Sequence, residues 1–124
     1  MSVSVRQFLE TQLTPLLPTS WRIIPNQRLP ETIDRVTVFF SVTRIESLAE
    51  APIGSLKNFV TITVASPNKD MVRAENALDK NVLTLCTALD GHKNMHWTDA
   101  EKVLVKDPYW GWDIRVEIIT EKES

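Results

Sequence analysis

The first residues of the chain carry the apolar spacing of an amphipathic helix. Apolar side chains recur about every 3.6 residues, so that one stripe holds Val5, Phe8, Leu9, Leu13, Leu16 and Leu17. Ser4 and Gln7 have the spacing of a capping box at the start of this segment. Pro18 cannot continue a helix, so we expect the first helix to end before it.

A second helix is predicted after Ser66 and Pro67, which suit the N-cap and the first helical position. Its apolar stripe consists of Met71, Ala74, Leu78, Val82, Leu85 and Leu89. Gly91 is the residue type expected just past the end of a helix. Each of the two helices therefore needs an apolar surface to cover its stripe.

Elsewhere the hydrophobic period changes to two, the repeat of a half-buried strand. The runs that begin at Arg35 and Leu56 predict an antiparallel hairpin, 112–118 predicts a third long strand, and Trp21–Ile24 predicts a short one. The residues expected to face the core are Val36, Val38, Phe40, Val42, Leu56, Val60, Ile62, Val64, Trp112, Ile114, Val116 and Ile118.

The segment 95–106 has two interpretations. Thr98 and Glu101 have the spacing of helix-capping residues, whereas Lys102–Lys106 alternates as a strand does. Asp107–Gly111, with its proline and glycine, predicts a turn.

The predicted order of elements, α-β-β-β-α-β-β, indicates the α+β class. Its connections are of hairpin length, so we expect a mostly antiparallel sheet of about five strands with the two helices packed on one face. Loops are expected at 25–34 and 47–55, which contain prolines and break the periodicity. A length of 124 residues fits one domain, 1–124.

Charge narrows the classes of partner. Fourteen basic and sixteen acidic side chains give a net charge of −2, which argues against a protein that grips nucleic acid by neutralising phosphates. The sequence has no apolar run long enough to span a bilayer and no signal-peptide pattern, so we expect a cytoplasmic location. A single cysteine excludes an intramolecular disulfide framework.

Candidate chemistry is sparse. His92 and His96 have the spacing of two metal ligands on a helix but lack the glutamate of a hydrolytic zinc motif. Glu75 and Asp79 lie one helical turn apart among basic residues, which favours a solvated helix face over a catalytic pair. Cys86 falls on the apolar side of the second helix, which favours a buried thiol. We therefore predict no enzyme, no metal and no cofactor; metal-dependent activity lost in His92→Ala or His96→Ala would contradict this.

Several aromatic residues occupy positions that the core does not require. Phe39 and Phe59 fall on the polar face of the predicted sheet, where they either pair across strands or anchor a protein interface. Tyr109 and Trp110 fall in the predicted turn, where they either cap the core or form a binding hot spot.

A set of short segments stands in a particular order along the chain. A leading helix that ends in Leu-Leu-Pro is followed by Trp21–Pro25, Asp34–Val38, Ser66-Pro67 with Arg73–Asp79, Trp97–Val103 and Tyr109–Ile114. In this order and spacing the chain resembles the tail terminator proteins of long-tailed, non-contractile bacteriophages, in particular the versions carried by phages of actinobacteria. The resemblance covers nearly the full length.

The resemblance implies a structural role in the virion. Proteins of this family form a ring, usually a hexamer, on the head-proximal end of the tail tube, where they stop tube polymerisation and join the tail to the head. The implied partners are further copies of the chain, the major tail tube protein and the head-completion or connector proteins. DNA would pass through the lumen without specific binding, which a mildly acidic protein suits. The implied location is the virion, after assembly in the host cytoplasm.

A protein with so many contacts should expose apolar residues on its loops and on its polar sheet face. The candidate interface residues are Leu29, Ile33, Phe39, Leu48, Ile53, Phe59, Tyr109 and Trp110. Three alternatives to a terminator stay open: another component of the head–tail neck, an adaptor domain outside viruses that binds one partner, and, third, an enzyme with a metal-dependent activity at His92 or His96.

Overall fold

The computed structural model describes residues 5–24, 33–47, 55–67, 71–92, 95–106 and 109–121. Its elements are α1 (Val5–Leu13), β1 (Arg22–Ile24), β2 (Thr37–Ser47), β3 (Ser55–Ala65), α2 (Met71–Asp90), β4 (Met95–Lys106) and β5 (Tyr109–Glu121). This order confirms the predicted α-β-β-β-α-β-β succession and the α+β class. Among the described residues, no helix is long and apolar enough to cross a membrane.

The five strands form one sheet in the order β1-β2-β3-β5-β4. Three of the four strand pairs are antiparallel, including the predicted β2–β3 hairpin. The fourth pair, β1–β2, is parallel, with Arg22 opposite Thr37. The sheet is therefore mixed, a detail that a period of two cannot reveal because alternation is the same in either strand direction.

The first helix is shorter than its apolar stripe. It ends at Leu13 because Pro15 has no N–H to donate and its ring clashes with the preceding turn. The N–H groups of Leu16 and Leu17 both donate to the Leu13 carbonyl oxygen, at 2.9 and 3.0 Å, and close the helix with a turn. As a result the Leu17 side chain is buried in the core, whereas the Leu16 side chain faces solvent.

Around β4 and β5 the structure resolves one ambiguity and corrects one prediction. The segment 95–106 is a strand, and the predicted turn over 107–111 is wrong for its last part, because β5 already begins at Tyr109. Lys106 and Tyr109 are register partners, and Asp107 and Pro108, the first part of the predicted turn, lie outside the described residues. The predicted loop 47–55 is wrong for Ser47 and Ser55, which belong to strands, and 48–54 lie outside the described residues.

The core lies between the two helices and one face of the sheet. The alternation predicted from sequence is confirmed, and the main cluster includes Leu9, Leu13, Val38, Phe40, Val60, Ile62, Val64, Val82, Leu85, Leu89, Ile114, Val116 and Ile118. We call this side of the sheet the helix face and the opposite side the outer face. The large aliphatic residues bury most of the apolar surface here, which is the main source of folding free energy.

Candidate interaction surfaces

Five of the eight candidate interface residues lie in the described part of the chain; Leu29, Leu48 and Ile53 lie outside it. Ile33, Phe39 and Tyr109 are only 2%, 9% and 4% exposed. Their expected exposure is therefore wrong, because the subunit covers these side chains itself.

Ile33 and Tyr109 are buried in a second, smaller apolar cluster. It also contains Ala65, and Val105 packs against it. Ala65 and Tyr109 alternate with the core-facing residues of β3 and β5, so this cluster lies on the outer face. Part of the polar side of the sheet is thus covered by the segment that carries Ile33. Hydrophobic alternation describes only two faces and does not predict this extra cover, although a tyrosine and an alanine at outer-face positions are a signal of it.

Phe59 lies on the outer face between two cations. The Arg44 guanidinium carbon is 5.5 Å and the Lys57 Nζ 5.4 Å from the centre of the phenyl ring, within the range of cation–π attraction. The suggested cross-strand pair with Phe39 is wrong, because Phe59 pairs with Arg44 and Phe39 pairs with Thr63. The half-buried ring supports two side chains whose charges remain near solvent.

The outer face carries a network of ion pairs with an acidic balance. Lys57 Nζ lies 3.1 Å from Glu117 Oε1. Arg115 binds both Glu101, at 3.0 Å, and Asp99. The hydrogen bond to Glu101 and the charge of Asp99 raise the pKa of the Arg115 guanidinium. The described charged side chains on this face of the four long strands are Arg44, Lys57 and Arg115, and Glu46, Asp99, Glu101, Asp113 and Glu117.

Several apolar residues that sequence reasoning did not select are exposed. Leu16, Ile45, Leu83, Leu104 and Ile119 expose between 45% and 66% of their surface. Leu83 could have been found from the sequence, because it falls off the apolar stripe of the second helix. Leu16 could not, since only the early end of α1 turns it outward. Trp110, predicted at the interface, is half-buried on β5.

Leu16 and Leu83 line an open groove of about 580 Å³ beside the two helices, together with Thr84, Thr87, Ala88, Gly91 and His92. His92 joins the helices at this groove. Its Nε2 lies 3.2 Å from Gln12 Oε1, and its ring meets the Phe8 ring edge to face at 5.5 Å.

The candidate chemical groups are held apart by the fold. His96 is an exposed residue of β4 opposite Glu117, so the two histidines do not share a helix. The described residues contain no cluster of three or more metal-binding side chains. Asp79 lies 3.5 Å from Lys102 Nζ, in an ion pair between α2 and β4, whereas the Glu75 side chain is outside the described set.

The burial predicted for Cys86 is confirmed. Burial, with a contribution from the nearby Asp90 charge, raises the pKa of this thiol. A raised pKa lowers the fraction of thiolate, the nucleophilic form, at neutral pH. The surroundings of Cys86 are therefore those of a structural thiol.

No protein-family model matches the sequence, and no curated protein matches it significantly.

Proposed function

We propose that this protein is a structural component of a bacteriophage virion. It forms a ring, in our proposal a hexamer, that caps the head-proximal end of the tail tube, ends tube polymerisation and provides the surface to which the head is joined. The role needs no catalytic step and no cofactor. Its location would be the virion, after assembly in the host cytoplasm.

The observation that carries the proposal is the distribution of exposed apolar side chains. Leu16 and Leu83 belong to the helix layer, Leu104 to the β4 strand, and Ile45 and Ile119 to the part of the sheet beyond the β2 bulge. A binder of one partner needs one such patch. A ring subunit needs two different patches for its neighbours and more for the structures above and below it.

Charge supports the same role. The sequence has a net charge of −2, and the described charged side chains of the outer face are mostly acidic, so this described part of the sheet has no basic stripe for gripping phosphates. A ring that surrounds DNA must let the duplex pass, and like charge reduces adhesion. The segments on which the phage resemblance rests include all of β1 and about half of β4 and of β5, which belong to the framework of the fold.

The deciding experiment is electron microscopy of particles assembled without this protein. A terminator is expected to leave abnormally long tails, because nothing stops the addition of tube subunits. Tails of normal length that fail to join heads would identify a neck component instead. Normal, joined particles would reject a role in the virion and favour an adaptor with a single partner.

A second test uses purified components. The protein added to polymerising tube subunits should shorten the tubes and appear as a ring at one end. Leu83→Asp would show whether the helix groove contributes to capping, with Lys80→Glu as the matched control for a new negative charge on the same helix outside the groove.

A further inference from the structure

The sheet ends in two edges of very different length. β1 contributes three residues and β4 twelve, and within the described residues neither pairs with a further strand. The Arg22 N–H donates to the Val36 carbonyl oxygen at 2.8 Å. Because backbone groups alternate in direction along a strand, the N–H and C=O of Ile23 point away from β2. Both edges therefore present backbone groups able to pair with another chain.

We infer that β4 of one copy pairs with β1 of the next copy, so that the sheet continues from subunit to subunit. The inference rests on the proposed ring in taking a second copy as the occupant of these edges. β1 and β2 are parallel, and each later step through the sheet is antiparallel. β4 therefore runs opposite to β1, and copies that keep their helices on the same side would meet in an antiparallel pair.

Charge on the outer face favours this pairing over its alternatives. Arg22 is exposed and shares the outer face with its partner Thr37. At the other edge, Asp99 and Glu101 both bind Arg115, so among the described side chains of this cluster negative charge exceeds positive charge by one. Two β4 strands would bring carboxylates together, and two β1 strands would bring arginines together. Only the β1–β4 contact joins opposite charges.

On the helix face, a cleft lies beside β1 at the place where the Leu104 side chain of a docked β4 would fall. An open cleft of about 590 Å³ there is lined by Glu10, Thr11, Thr14, Pro15, Trp21 and Ile23. β4 places Leu104 on its helix face, opposite Trp110, and this leucine is exposed in the single subunit. A β4 strand docked on β1 would lay Leu104 along the cleft, against the apolar surface of Trp21 and Ile23.

Two bulges limit how much of β4 can pair. The register shifts between Trp97 and Asp99 and again between Leu104 and Lys106. Bulges twist a strand and end regular pairing, so the regular span is Asp99–Leu104. This span carries both the acidic residues and the exposed leucine, and it is long enough for the three residues of β1. The contact joins two different patches, as a closed ring requires.

The test is light scattering on size-exclusion fractions of the full-length protein over a range of concentrations. Arg22→Glu and Leu104→Asp each disturb one side of the contact. Lys80→Glu is their matched control, because it places a new negative charge on an exposed residue of α2 that lies away from the sheet edges and outside the helix groove. Near-ultraviolet circular dichroism confirms that each variant keeps its tryptophan packing.

The edge variants should raise the dissociation constant between subunits about tenfold or more, because a buried contact gains a like charge or an unpaired one. Combining Arg22→Glu with Glu101→Arg should recover part of this loss. Unchanged assembly of both edge variants, or a wild-type protein that is monomeric at every concentration, would overturn the edge contact. Tail length in particles without the protein tests the terminator role separately. If tails are overlong without the protein but the edge variants assemble normally, only the β1–β4 contact is rejected. If tails have normal length but the edge variants weaken the oligomer, only the terminator role is rejected.

Discussion

Trp97 donates its indole N–H to Asp90 Oδ1 at 2.7 Å and so ties the edge strand β4 to the last residue of α2. The bond joins the helix layer to the strand that we propose as a docking edge. Trp97 also packs against the main core. The position of β4 relative to α2 therefore depends on this bond and on the Asp79–Lys102 ion pair as well as on apolar packing.

Trp97→Phe should lower the free energy of unfolding by about 1 kcal/mol, since it removes one hydrogen bond to a carboxylate near the surface and keeps most of the ring packing. Urea denaturation measures the change. Asp90→Asn keeps an acceptor oxygen and should cost less. Equal losses in Trp97→Phe and the distant surface variant Lys80→Ala would contradict the structural role of the bond.

Gly111 is required by a close approach of backbones. A Cβ at this position would lie 2.6 Å from Val105 Cγ2 and closer still to the Val64 carbonyl oxygen. Gly111→Ala should therefore destabilise the protein by about 1–3 kcal/mol through overpacking. Gly91→Ala is the control, because its nearest neighbour would be the Ala88 oxygen at 3.7 Å, and its effect should stay within about 0.5 kcal/mol. Thermal unfolding of the two variants decides the point.

Ile33 tests whether the second cluster stabilises the fold. Its side chain is almost fully buried with Ala65 and Tyr109, so Ile33→Ala should cost about 2–3 kcal/mol of unfolding free energy. Ile45→Ala removes the same atoms from an exposed position and should change stability by less than about 0.5 kcal/mol. If Ile33→Ala changes stability only slightly but strongly weakens assembly, Ile33 is an interface residue rather than a core residue.

The raised pKa of Cys86 predicts that its thiol reacts slowly with thiol reagents in the folded protein. Reaction with a thiol reagent at neutral pH should be slow and should accelerate as the pH rises towards the folded-state pKa. Because the folded pKa lies above the unfolded one, the stabilisation from this group is fully present below the unfolded pKa and is lost as the pH rises through the folded pKa. Leu83→Cys in a Cys86→Ala background supplies an exposed reference thiol. Equal rates for the two thiols would contradict the burial of Cys86.

The candidate interface was predicted less well than the fold. The apolar character of Tyr109 was visible in the sequence, but its burial depends on the distant Ile33 segment. Leu16 looked like a core residue because it continues the stripe of α1, and it is exposed because the helix ends early. Both errors have one cause: a pattern of neighbouring residues identifies an apolar side chain without identifying what covers it.

The sequence by itself determined the two helices, four of the five strands and the inward faces of the sheet. Val60 and Ile62 face the helices because alternation along a strand is set by the backbone of the strand itself. The tertiary structure alone decided that β1 runs parallel to β2 and that 95–106 is a strand. It also decided which apolar residues stay exposed. These outcomes depend on contacts between residues far apart in the chain. The free energies of such contacts cannot be inferred from a local hydrophobic period.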